Sequence, residues 1–142
     1  MEREEIKNYL PHREPMLLVD HMEMMEDGVT VRGLYTIRGD EFFLQGHFPG
    51  HPVVPGVILI EIMGQCSSLL VKDHLVGRTT FFTGIDKARF KRPVSPGDTI
   101  EIKARITTSR GMLFFIEAKA FVDGKLVTEA VLSVALIDNE KL

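Results

Sequence analysis

Between Ile100 and Thr107 apolar and polar residues alternate without a break. Ile100, Ile102, Ala104 and Ile106 fall on one side, and Glu101, Lys103, Arg105 and Thr107 on the other. A period of two is that of a strand with one dry face and one wet face. Met112–Val122 and Leu126–Ile137 are apolar at nearly every position, the pattern of strands covered on both faces. Turns at Ser95-Pro96-Gly97-Asp98, Arg110-Gly111 and Asp123-Gly124 delimit these three strands. Upstream, Leu17–Glu26 and Val29–Ile37 read as two strands joined by Asp27-Gly28, a strong hairpin signal. Residues 81–90 predict one more strand, and Glu2–Leu10 a short helix stopped by Pro11.

One segment breaks the strand rhythm. Pro55-Gly56 opens an apolar run to about His74, too long for an ordinary strand and well started by a proline for a helix. Val57, Ile58, Leu59, Ile60, Ile62, Met63, Leu69, Leu70 and Val71 leave this helix no polar face, so it is expected to be buried on all sides. The fold class is therefore α+β: an antiparallel sheet of five to six strands wrapped around one long central helix. No repeat, linker or low-complexity stretch divides residues 1–142, which are expected to form a single domain.

Composition narrows the function classes. An apolar fraction of 44% and a charged fraction of 26% are those of an ordinary globular protein, and a net charge of −3 gives no field that attracts nucleic acid. Cys66 is the only cysteine, so no internal disulfide can form; it reads as a small helix hydrophobe in a reducing compartment. The N-terminal MEREEIKNYL lacks the apolar core of a signal peptide, and no run reaches the ~18 apolar residues of a membrane helix. A cytoplasmic protein without membrane contact is expected.

The chemistry gathers in GHFPGHPVVPG (residues 46–56) and the helix after it. Glu61 has Val57 and Ile58 one turn before it, Ile60 and Ile62 beside it, and Gln65 as its only polar mate one turn later. A carboxylate in such company is either a structural group with a partner or a candidate proton donor, because burial raises its pKa. His12 in a loop, His21 in a strand and His74 at a helix end call for no function. His47 and His51 differ, because Pro49 and Pro52 stiffen the loop that carries them. The same prolines forbid the helix that would aim both rings at one ion, so no metal site is expected. One of the two is a candidate base, and spacing does not say which. Gly56 opens the helix, where unpaired N–H groups could polarise a carbonyl oxygen. Lys87, Arg89, Lys91 and Arg92 place four cations in a short stretch of an acidic chain, either a solvated strand edge or a dock for an acidic partner.

Taken together, GHFPGHPVVPGVILIEIMGQ closely resembles the active-site signature of the (3R)-hydroxyacyl-acyl-carrier-protein dehydratases of type II fatty acid synthesis. YLPHREPMLLVD (9–20) and FTGIDKARFKRPVSPGD (82–98) resemble two further stretches of that family. The resemblance implies the hot-dog fold, with the catalytic histidine at His47 rather than His51, the acid at Glu61, the carbonyl-polarising amide at Gly56 and a glutamine bonded to the acid at Gln65. Glu14 stands where an aromatic is usual, and Ile62 and Gly64 stand where alanines are usual, which bears on substrate preference.

By the same resemblance the substrate is a β-hydroxyacyl thioester on the phosphopantetheine arm of acyl carrier protein. His47 removes the C2 proton, Glu61 protonates the leaving hydroxyl, and no cofactor or metal takes part. It also implies homodimers with sites shared between chains, assembled as a trimer of dimers. A hot-dog thioesterase, and a non-catalytic acyl-binding subunit, are the alternatives; neither accounts for both His47 and Glu61.

Overall fold

The alternation at residues 100–106 is realised. In the computed structural model, which describes residues 1–142, Ile100, Ile102 and Ala104 are buried while Lys103 and Arg105 are exposed. The strands are β1 (His21–Met24), β2 (Thr30–Thr36), β3 (Arg78–Phe90), β4 (Thr99–Arg110), β5 (Leu113–Val122) and β6 (Lys125–Asp138). They form one six-stranded antiparallel sheet in the spatial order β1-β2-β4-β5-β6-β3. The first turn is where Asp27-Gly28 places it. Gly28 takes a φ of +73°, and Asp27 Oδ1 accepts the N–H groups of Val29 and Thr30, each at 2.9 Å.

Helix α2 (Gly56–Cys66) lies across the inner face of this sheet and buries Leu59, Ile60, Ile62, Met63 and Cys66 in the common core. Gly33 of β2 lets it approach: a Cβ there would stand 2.5 Å from the Cys66 Cβ. Burial in this contact pushes the Cys66 thiol well above its ordinary pKa, as befits a packing residue. A curled sheet around one helix is the hot-dog fold.

The helix is shorter than its apolar run predicts. Ser67 Oγ donates to the Met63 carbonyl at 2.6 Å, and the chain tightens into a 3-10 segment, Ser68–His74, with Val71 outside helical dihedrals. Such hydroxyl back-bonding competes with regular helix, and hydrophobic period holds no record of it. At the N-terminus, α1 is only Arg3–Ile6. Leu17–Val19 are buried outside any strand, because the Arg3 guanidinium serves the Leu17 carbonyl at 2.8 Å and the Val19 carbonyl at 3.1 Å.

Two burial expectations are overturned within one chain. Along α2, Val57 is 75% exposed, and Glu61 and Gly64, on the same face at i+4 and i+7, are only half-buried. Outward residues of β5 and β6, such as Phe115, Glu117 and Val131, are half-buried rather than covered. The sheet also ends on an apolar edge: in β3, Phe81, Phe82, Ile85 and Phe90 are 43%, 39%, 45% and 54% exposed. No helix is long and apolar enough to cross a membrane.

Candidate active site

Gln65 is the anchor of the site. Its amide nitrogen donates to the Met16 carbonyl and to Glu61 Oε2, both at 2.8 Å, and its oxygen accepts the Leu18 N–H at 2.7 Å. Every polar atom of the amide is thus used, and its orientation hands one N–H to the carboxylate. The expected Gln65–Glu61 contact is present.

A second partner was not expected. His12 Nε2 lies 3.4 Å from the same Glu61 oxygen, so His12 is no bystander loop histidine, and its Nδ1 is buried without a partner. This changes the sign expected for the acid. Burial pulls the Glu61 carboxyl up, but the hydrogen bonds from His12 and Gln65 and the His12 charge outweigh it and hold the group below its ordinary value. The apolar helix neighbours alone would raise it; the opposing partner comes from the loop before β1. His21, by contrast, is held by Glu2 at 2.6 Å and Glu23 at 3.1 Å, and His74 is exposed at the end of the 3-10 segment.

Glu61, His12 and Gln65 form the polar end of a cavity of about 80 Å³ between α2 and the sheet. Its other walls include Val71, Ile116, Leu132 and Val134, together with Gly64 and Phe82. Ser67, Ser68 and Thr80 also line it, and the surface it presents is mostly apolar, of the kind that takes a small hydrophobic group.

His47 and His51, equal by spacing, are unequal in structure. The loop folds back on itself, the Val53 N–H donating to the His47 carbonyl at 2.9 Å, and His47 Nδ1 lies 3.0 Å from the Val53 carbonyl. A carbonyl only accepts, so Nδ1 carries the hydrogen and Nε2 of the neutral ring keeps its lone pair free. His51 lies at the exposed tip of the loop, and its ring makes no hydrogen bond. Phe48 stacks on the His47 ring at a centroid distance of 4.1 Å.

Gly56 is the first residue of α2. No side chain caps this end, and the first of its N–H groups to be paired is that of Ile58, with the Pro55 carbonyl at 2.9 Å. A Cβ on Gly56 would come 3.0 Å from the Phe90 ring, a tight approach that a side chain at position 56 could keep only by moving the ring. Lys91 and Arg92 border the open groove beside Gly56 and Phe90. Lys87, Arg89, Lys91 and Arg92 are all exposed, at the end of β3 and just beyond it. One chain brings Glu61, Gln65 and His12 together at the cavity, and His47 lines neither that cavity nor this groove. Sequence reasoning missed His12, Phe82 and Phe90; a lone loop histidine and strand phenylalanines carry no signal of their own.

Fold and site together define the class: a hot-dog domain bearing an oriented imidazole and an amide-held carboxylate. The model of the FabA-like domain matches residues 10–131, and the chain belongs to that family. Among curated relatives, the protein of Syntrophotalea carbinolica named 3-hydroxyacyl-[acyl-carrier-protein] dehydratase FabZ is 46% identical over 132 residues, covering 89% of this chain and 88% of its own. The protein of the same name from Bacillus velezensis is 42% identical, covering 96% and 98%. Among solved structures, the dehydratase heterocomplex ApeI:P from Xenorhabdus doucetiae matches with a TM-score of 0.80 at 20% identity, over 95% of this chain and 92% of that one. A probable thioesterase from Bartonella henselae matches with a TM-score of 0.62 at 20% identity, over 79% and 93%. These two likenesses concern the fold alone.

Proposed function

We propose that His47 is the base and Glu61 the acid in the reaction of this chain, the dehydration of a (3R)-hydroxyacyl group carried on acyl carrier protein. The chain is a 3-hydroxyacyl-[acyl-carrier-protein] dehydratase of fatty acid biosynthesis. The observation that carries the residue roles is the Nδ1 contact of His47 with the Val53 carbonyl, which leaves Nε2 free to take a proton. The thioester carbonyl accepts from the Gly56 N–H, which acidifies C2. His47 Nε2 takes the C2 proton, the C3–O bond breaks, and the hydroxyl leaves as water with a proton from Glu61. The product is the trans-2-enoyl thioester. An acyl chain filling the slot excludes water and strengthens the burial effect that favours the protonated carboxyl. Gln65 aims that carboxyl. Both protons pass between protein groups and substrate, so the sequence of steps calls on no cofactor.

That His47 does not line the cavity at Glu61 supports a site shared by two chains. The uncovered stripe Val57–Glu61–Gly64 and the apolar edge of β3 supply a face for a second copy. The dimer pairs through β3, and the trimer of dimers is part of the same reading. The exposed cations Lys87, Arg89, Lys91 and Arg92 receive the acidic carrier protein, with Lys91 and Arg92 nearest the groove at Gly56. The reaction takes place in the cytoplasm. Incubation of the purified protein with 3-hydroxybutyryl-acyl-carrier protein tests the reading. The absorbance of a conjugated enoyl thioester is expected; release of free thiol would instead mark a thioesterase, and no change an acyl-binding subunit.

A further inference from the structure

Gly64 is one helical turn beyond Glu61 on the same face of α2, about 4.5 Å along the axis. Nothing in its backbone asks for glycine, since its φ is not among the positive ones. A glycine inside a helix is destabilising relative to alanine. Space is the reason for it. A Cβ on Gly64 would stand 2.6 Å from Phe82 Cζ and 3.3 Å from Cε1, so the tip of the ring occupies the place of the missing methyl group. Both residues line the slot that starts at Glu61. Phe82 comes from the edge strand β3 and is 39% exposed.

We propose that Phe82 closing on Gly64 forms a neck in the acyl slot, and that this pair sets which acyl chain lengths the enzyme accepts. The inference rests on the dehydratase reading and on Glu61 meeting the C3 hydroxyl. With C3 held at Glu61, the carbons a few positions further along the chain reach the level of Gly64. A short chain ends before the neck and is indifferent to it. A long chain must pass between the helix backbone and the ring.

The test compares kcat/KM for 3-hydroxydodecanoyl- and 3-hydroxybutyryl-acyl-carrier protein in Gly64→Ala, Phe82→Ala and the double variant. A methyl group at position 64 narrows the neck, so Gly64→Ala should lower the long-to-short ratio by about tenfold or more, within the range one methylene commands in a fitted pocket. Phe82→Ala should raise the ratio, and the double variant should recover most of what Gly64→Ala loses. An unchanged ratio in Gly64→Ala would overturn the proposal, as would a loss that removing the ring does not relieve. Gly64→Ala keeps the Phe82 side chain on β3, and the oligomeric state of each variant, read by size-exclusion chromatography, separates a change in the neck from a change in assembly. Wild-type protein inactive on both substrates would refute the dehydratase reading instead.

Discussion

His12 Nε2 and Glu61 Oε2 are 3.4 Å apart, and this contact, made across two distant parts of the chain, joins the Gln65 hydrogen bond in outweighing the upward pull of burial on the acid. With it, the resting carboxyl is held below its ordinary value of 4.5. In the proposed mechanism, an acyl chain in the slot strengthens the burial effect that opposes this shift.

Replacing His12 by Phe leaves burial opposed only by Gln65, so the Glu61 pKa should rise. Carbon-13 NMR titration of the carboxyl, assigned against Glu61→Gln, measures it. Stability follows with a definite sign. A carboxyl whose folded pKa is depressed adds stability above its unfolded pKa and loses it as pH falls through the folded one. The stability difference between wild type and His12→Phe should therefore narrow below pH 4.5. A gap that stays constant into acid would mean that the contact carries no charge.

Loss of a general base costs about 10²–10⁴-fold in rate. His47→Ala should fall by at least that much in kcat, whereas His51→Ala, with its ring at an exposed loop tip, should keep most of its activity. Steady-state kinetics on one substrate suffices. The opposite ranking would reassign the base.

Mixed dimers test whether the site is shared. His47→Ala and Glu61→Gln, each inactive alone, are refolded together. In a shared arrangement the heterodimer has one doubly broken site and one intact site, so activity returns to a fraction of wild type. If each chain builds its own site, every mixture stays inactive.

Charge reversal at Lys91 and Arg92 should raise KM for carrier-protein substrate while leaving a short pantetheine thioester unaffected. The increase should shrink as salt is added, since exposed charges are screened over about 10 Å at 0.1 M. Equal losses on both substrates would place the two residues in the chemistry rather than in docking.

Gly33→Ala forces a methyl group to within 2.5 Å of the Cys66 Cβ and 3.4 Å of its Cα. Overpacking of a tight contact costs about 1–3 kcal/mol, more where backbone must move. Thermal unfolding should show a lower midpoint, with no change in chain-length preference, because Gly33 does not line the slot.

How much of this was legible in the sequence depends on the range of the interaction. The alternation at Ile100–Thr107, the Asp27-Gly28 turn and the Gln65–Glu61 pair are local, and pattern reads them. The end of α2 at Cys66 hangs on one Ser67 hydroxyl, which periodicity ignores. The sign of the Glu61 shift depends on His12, brought to it only by tertiary folding. The open stripe at Val57 could not be foreseen either, since an apolar helix face looks the same whether its cover comes from its own chain or another.

The two edges of the sheet are unlike. At one, β1 is four residues long and is partly occupied by the bridge from Glu2 to His21. At the other, β3 runs for thirteen residues and offers its phenylalanines. Joining two copies through β3 around a twofold axis spends the only adhesive edge each possesses and turns the short, blocked ones outward. In the proposed dimer, growth of the sheet would then terminate at two chains, and the same asymmetry would guard it against fibre formation.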